Sequence, residues 1–319
     1  FADKNVGTAK SVAANDSIAG TDAANYTLTQ PTSLVGNITA KALTVSGALV
    51  ANKVYDGNTT TVITGGTLSG LVSGDVVDLT QVGTFANKNV GTAKAITFAD
   101  TIAGTDAANY TLTQPTGITA DITPKALTVS GSSVTAKVYN GNTAATVTGG
   151  SLVGLVSGDV VNLTQAGTYA DKNVGTGKTV TVADAVDGTD AANYTLTQPA
   201  NLLGDITAKE LTVLNSSVTA KVYDGSTAAT ITGGTLSGLV SGDVVNLTQA
   251  GTFADKNVGT AKSVAANDSI AGTDAANYTL TQPTSLVGNI TAKALTVSGA
   301  LVANKVYDGN TTTVITGGT

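Results

Sequence analysis

The chain has 319 residues with no Cys, Met, Trp or His, and all sixteen of its basic residues are Lys. Those zeros exclude Ser-His-Asp and Cys-His catalysis, the usual zinc sites and any disulfide staple, and the missing Arg removes the bidentate clamp for phosphate. A net charge of -6 opposes the nucleic-acid backbone, whose binders must bring cations to it. Of the 22 acidic residues only Glu210 is a glutamate. No apolar run approaches the roughly 20 residues of a membrane helix. The composition therefore predicts no nucleic-acid partner and no membrane span in this segment. A carboxylate-pair hydrolase passes this filter, and no enzyme is expected because the sequence is a tandem repeat that would copy its active site along every unit. A chain without thiol or thioether also suits long exposure outside the cell.

In chain order, Phe1 opens the truncated copy of a segment, GT[FY]A[DN]KNVGT, whose aromatic returns at Phe85, Tyr169 and Phe253. The stretch DAANYTLTQP follows at 22–31 and recurs at 106–115, 190–199 and 274–283, always at the same step. Cutting after the Lys of IT[AP]K gives whole units 42–125, 126–209 and 210–293, with fragments 1–41 and 294–319 at the ends. Within a unit, ALTVS (42–46), AITFA (95–99) and NYTLTQ (109–114) alternate apolar and polar residues with period two, which predicts half-buried strands. Asp56-Gly57, Gly65-Gly66, Ser73-Gly74-Asp75 and Gly104-Thr105-Asp106 mark turns between them. LSGLVSGD (68–75) has room for one helical turn. Short strands at this spacing predict an all-β chain, a tandem array of small β-sandwich or Greek-key domains. A β-grasp unit with a packed helix is the alternative. ITADITPKALTVSG (118–131) runs from the last strand of one unit into the first of the next with no Gly/Ser hinge, so the joints are expected to be short and stiff.

A longer period lies behind the first, because residues 253–319 repeat 1–67 letter for letter. Duplication of a three-unit block leaves such identity, and the natural protein is expected to be much longer, with this chain a window on its interior. KVYDGNTT (53–60), GTFANKNVGTAK (83–94) and AANYTLTQPTGITADITPK (107–125), in fixed order, resemble the YDG-type repeat of large bacterial surface proteins. Haemagglutinin-like adhesins of two-partner secretion are among them. The resemblance covers the whole chain. It implies an exported protein at the bacterial cell surface whose repeats form a stalk, with adhesive regions elsewhere and no catalytic residues to carry over. The middle unit departs from the motif, with Tyr139-Asn140-Gly141 in place of Tyr-Asp-Gly.

Candidate chemistry is sparse. Asp184, Asp187 and Asp190, with Asn193, offer hard oxygen ligands for calcium, though the corresponding residues to Asp187 are Ala103 and Ala271 and Asp beside Gly ordinarily forms turns. Tyr55 and Tyr110 and their copies suit a sugar-stacking face, but their strand pattern favours the core. A Lys–Asn isopeptide bond would need a buried Lys53, a partner such as Asn89 and an acid; a solvated lysine, guarding a strand edge, is the ordinary outcome. Asn-x-Thr sequons such as Asn25-Tyr26-Thr27 are frequent in so Thr-rich a chain. Two functions fit. One is a stalk or fibre segment whose partners are neighbouring units and lateral copies of itself. The other is a multivalent array with a weak glycan or protein site on each unit.

Overall fold

The computed structural model describes every residue from Phe1 to Thr319, and short strands dominate it, as the period-two alternation requires. Its only helical elements are the 3-10 turns Ala23–Asn25, Ala107–Asn109, Ala191–Asn193 and Ala275–Asn277, each inside one copy of the DAANYTLTQP motif. The chain is all-β, and without a packed helix the β-grasp alternative falls. LSGLVSGD holds no helical turn. Gly74 sits at φ +92°, outside the right-handed helical region, and closes a tight turn in which the Asp75 N–H donates to the Val72 carbonyl at 3.2 Å.

In unit 42–125 the strand Lys41–Val50 lies between Ile63–Ser69, antiparallel, and Tyr110–Thr113, parallel. A second sheet runs Lys53–Val54, Thr119–Thr123, Gly91–Phe98, Gly83–Phe85. The strands Asp78–Thr80 and Thr101–Ala103 pair apart from both. Only Pro124 separates Thr119–Thr123 from the next repeat's first strand, Lys125–Ser130. Its ring fixes φ and disfavours a helical Thr123, so the link stays extended, in keeping with the absence of a hinge.

Two compact units divide the chain. The first holds Phe1–Ser132, Gly149–Gln165 and Asp184–Pro199; the second holds Ser133–Thr148, Ala166–Ala183 and Ala200–Thr319. The division runs through the middle repeat. It defines a leading half (126–132, 149–165, 184–199) and a trailing half (133–148, 166–183, 200–208), each with its equivalent in the other repeats.

The cores are out of step with the sequence period. In the first unit Tyr55, Phe85, Ile96, Phe98, Ala120 and Ile122 come from the trailing half of repeat 42–125, and Leu127 and Tyr194 from the leading half of the next repeat close over them. The second unit builds the same core from Tyr139, Val147, Tyr169, Val180 and Ile206 under Leu211 and Tyr278. The aromatics of KVYDG and GT[FY]A therefore sit at the centre of each core, with Tyr55 and Tyr139 at 1% exposure.

One polar detail differs between repeats. Gln165 Nε2 donates to Ser132 Oγ at 2.8 Å while its Oε1 accepts the Gly150 N–H at 2.9 Å. Gln249 does the same with Ser216 and Gly234. Repeat 42–125 has Ala48 at this place, and Gln81 Nε2 is buried with no partner. Ala48→Ser is expected to stabilise the chain by about 1 kcal/mol, the net worth of one hydrogen bond, read as a higher urea midpoint at unchanged slope.

Candidate functional site

Where the trailing half of one repeat meets the leading half of the next, side chains from fixed motif positions converge. In the first unit the centre is Asp159, whose side chain is 3% exposed. Its Oδ2 accepts the Tyr55 hydroxyl at 2.7 Å and the Tyr194 hydroxyl at 2.6 Å, and its Oδ1 pairs with Lys88 Nζ at 2.8 Å. Lys88 also reaches Asp190 Oδ1 at 3.1 Å and lies 5.8 Å from the centroid of the Tyr55 ring. The two tyrosine rings stand edge to face with centroids 5.4 Å apart, a geometry their quadrupoles favour. Asn193 Oδ1 accepts the Val90 N–H at 2.9 Å, and the Tyr194 hydroxyl accepts the Val156 N–H at 3.0 Å. The second unit repeats the seam with Tyr139 and Tyr278 on Asp243, at 2.7 and 2.6 Å, and Lys172 at 2.9 Å.

Local chemistry explains why these groups arrive together. In DAANYTLTQP (190–199) Asp190 Oδ2 accepts the Val160 N–H at 3.0 Å, which anchors the short 3-10 turn that presents Asn193 and Tyr194. Gln198 holds the other end through two 2.8 Å bonds to the backbone of Asp184. On the opposite side, Lys53 Nζ gathers the loop 53–60. It donates to Asp56 Oδ1 at 2.7 Å, to both oxygens of Asn58 at 2.9 Å and to the Thr60 carbonyl at 3.1 Å. That ammonium fixes the loop in which Tyr55 sits.

The seam's charges are set by its contacts. Burial alone would raise the Asp159 carboxyl, but the bonds from Lys88, Tyr194 and Tyr55 outweigh it and hold the group below the ordinary 3.8. Burial, with the bond to Asp159, pushes the Tyr194 hydroxyl up to about 12; burial and Asp243 do the same to Tyr278. Lys88 is held above its ordinary value, first by Asp159 and then by Tyr55 and Asp190. At neutral pH two phenols and an ammonium thus saturate a buried carboxylate, an arrangement that fastens one repeat to the next.

The family model of the YDG domain matches the chain three times, at residues 39–117, 123–201 and 207–285. The chain belongs to the YDG domain family. No curated protein and no solved structure matches it. Each letter of the YDG motif now has a physical role. Tyr55 is the buried half of the seam. Asp56 accepts a hydrogen bond from Lys53 and neutralises it; in repeat 126–209 Asn140 keeps the hydrogen bond without the charge, its Oδ1 accepting from Lys137 Nζ at 3.1 Å. Gly57 has φ +81°, and a Cβ there would lie 2.7 Å from Val156 Cγ1 of the following YDG repeat. Gly225 has nearly the same φ, +82°, with nothing within 4 Å. Gly225→Ala is therefore expected to cost about 1–2 kcal/mol, the left-handed strain alone. Gly57→Ala adds the clash, for a total of roughly 3 kcal/mol. Equal losses for the two variants in chemical denaturation would contradict this account of Gly57.

The residues singled out from sequence fall in several places. Tyr55 and Tyr110 are buried, with their hydroxyls on Asp159 and Asp75. Lys53 is no solvated edge guard: its side chain is 18% exposed because the Asp56 carboxylate, the Asn58 side chain and two backbone carbonyls replace its water. Asn89 is not among its hydrogen-bond partners; it lies in the seam, accepting from Asn193 Nδ2 at 3.4 Å. The calcium candidates are engaged separately. Asp184 is buried, Asp187 is exposed and accepts from Asn162 Nδ2 at 2.8 Å, and Asp190 serves Val160 and Lys88. Nowhere do three such carboxylates gather as a metal group. Sequence reasoning missed Asp159 and Lys88, although both recur with the period, as Asp75 and Asp243 and as Lys4 and Lys172.

Proposed function

We propose that this chain is a structural stalk or fibre segment of a long, secreted bacterial surface protein, in which fastened YDG repeats supply length. The observation that carries the reading is the seam, built from the same residues in both compact units and closing a hydrophobic core across the repeat boundary. A module that serves only as one bead on a string has no need of a buried Tyr–Asp–Tyr contact to its neighbour. A stalk does, because each such contact removes a joint at which it would bend. Extracellular placement accords with a chain free of oxidisable thiols and thioethers.

Small-angle scattering tests the proposal. A compact globule of this length has a radius of gyration near ~20 Å. A stalk gives about twice that or more, since fourteen strand residues alone span roughly 45 Å. The curve is expected to be the same in calcium and in chelator, because Asp187 and Asp190 already serve protein donors. A radius near the compact value overturns the stalk. Shortening only in chelator brings the calcium sites back.

A further inference from the structure

Each repeat begins and ends with segments that lie side by side and point the same way. In the first unit Lys41–Thr44 pairs in parallel with Tyr110–Thr113, and farther along the same two stretches Lys53–Val54 pairs in parallel with Ile122–Thr123. The offset in residue number from Lys41 to Tyr110 equals that from Lys53 to Ile122. Two stretches of the chain, 41–54 and 110–123, therefore run in one common register. The offset returns in Lys125↔Tyr194 and Lys137↔Ile206, and again in Lys209↔Tyr278 and Lys221↔Ile290.

Further bonds tie the far end of the pair. The Tyr55 N–H donates to the Thr123 carbonyl at 2.9 Å, Thr123 Oγ1 donates to the Lys53 carbonyl at 3.3 Å, and the Asp121 N–H donates to Asn52 Oδ1 at 2.7 Å. Tyr139 with Thr207 and Tyr223 with Thr291 repeat the first of these at 2.8 Å.

We propose that this zipped pair is a tension clamp, and that YDG repeats are built to resist stretching along the chain. Tension enters a repeat at the N-terminal end of its first segment and leaves at the C-terminal end of its last. Because the two segments are parallel neighbours, those pulls slide one against the other. Every hydrogen bond between them then carries load together, and none can open before the rest. Had the segments been antiparallel, the same pulls would act at one end of the pair and peel the bonds apart singly. The ties at Thr123 and Asp121 sit where the last segment leaves the repeat, and they add to the set of bonds that share the load. This deepens the stalk reading and rests on it for the source of the pull. The geometry of the clamp does not depend on that reading.

The test is single-molecule pulling on the full chain, which has no native cysteine to compete with engineered handles. With handles at the two termini, discrete unfolding steps are expected. Each whole repeat, such as 42–125, releases up to roughly 280 Å of contour, less its folded span. A second molecule carries handles at Ala42→Cys and Thr111→Cys, exposed registered partners on the two strands, so that force opens the pair one bond at a time. The first repeat is expected to open there at several-fold lower force. A circular dichroism melt matching the parent checks that this variant folds. Equal forces in the two directions, or terminal stretching without discrete steps, would falsify the clamp. Either result leaves the stalk to be judged by scattering, and a compact particle with a strong clamp would remove the stalk alone.

Discussion

Asp159→Ala is expected to weaken the first unit by roughly 2–4 kcal/mol. Two buried tyrosine hydroxyls lose their acceptor at once, and each orphaned group costs about 1–3 kcal/mol. The side chain they share is 3% exposed, so water does not replace it without opening the seam. Tyr55→Phe removes one donor and leaves the other, for about 1 kcal/mol. In a double-mutant cycle the two changes are expected to fall short of additivity, because both act on the same contact. Additive losses would mean that the Tyr55–Asp159 bond contributes nothing.

The same carboxylate makes the seam sensitive to pH, and the sign follows from the direction of the shift. Asp159 and Asp243 are held below 3.8 in the folded chain. Their contribution is complete above that ordinary value and is lost as the pH falls through the depressed folded value. Tyr194 and Tyr278 shift the other way, from 10.0 to about 12. Their contribution is complete below pH 10 and is lost as the pH rises from 10 toward 12. Urea midpoints should therefore be level through the neutral range and fall at both edges. Asp159→Ala should blunt the acid fall more than Asp78→Ala, which changes an exposed carboxylate.

A single repeat, residues 42–125 alone, is expected to be barely folded or unfolded at 25 °C. At about 0.05–0.15 kcal/mol per residue, a domain of this length has a net stability of roughly 4–13 kcal/mol. Cutting after Lys125 takes away Leu127 and Tyr194, which close the core over Tyr55, Phe85 and Ile122. Leaving large side chains uncovered costs about 1.5–3 kcal/mol each. Loss of the Tyr55 and Lys88 contacts to Asp159 comes on top. Two uncovered residues and that contact together approach the whole margin. Tandem pairs should then gain stability out of proportion to length, as nearest-neighbour coupling in repeat arrays predicts. Circular dichroism melts of one, two and three repeats would test it, and identical melting temperatures would mean that the repeats fold independently.

Much of this architecture is legible in the amino-acid sequence. The constant repeat step, the all-β class, the absence of a hinge at Pro124 and the burial of Tyr55 and Tyr110 follow from periodicity, turn residues and side-chain size, which act within a few residues along the chain. The helical turn read into LSGLVSGD failed because Gly74 adopts a positive φ, in keeping with the turn that Ser73-Gly74-Asp75 already marked. Lys53 was misplaced because the folded loop brings backbone carbonyls of Asn58 and Thr60 to it beside the side chains of Asp56 and Asn58.

What the tertiary structure alone decided is which copy pairs with which. The seam aspartate occurs in Tyr55's own repeat as Asp75 and again in the next repeat as Asp159, each flanked by Ser-Gly before and Val-Val after. A repeated sequence offers both partners on equal terms. A tyrosine of the same leading half does not separate them, because Tyr110 holds Asp75 and Tyr194 holds Asp159, each at 2.6 Å. The parallel pairing of first and last segments sets Tyr55 beside Thr123, at the end where the next repeat begins. Long-range closure therefore chose the later aspartate, and with it a core that belongs to two repeats at once.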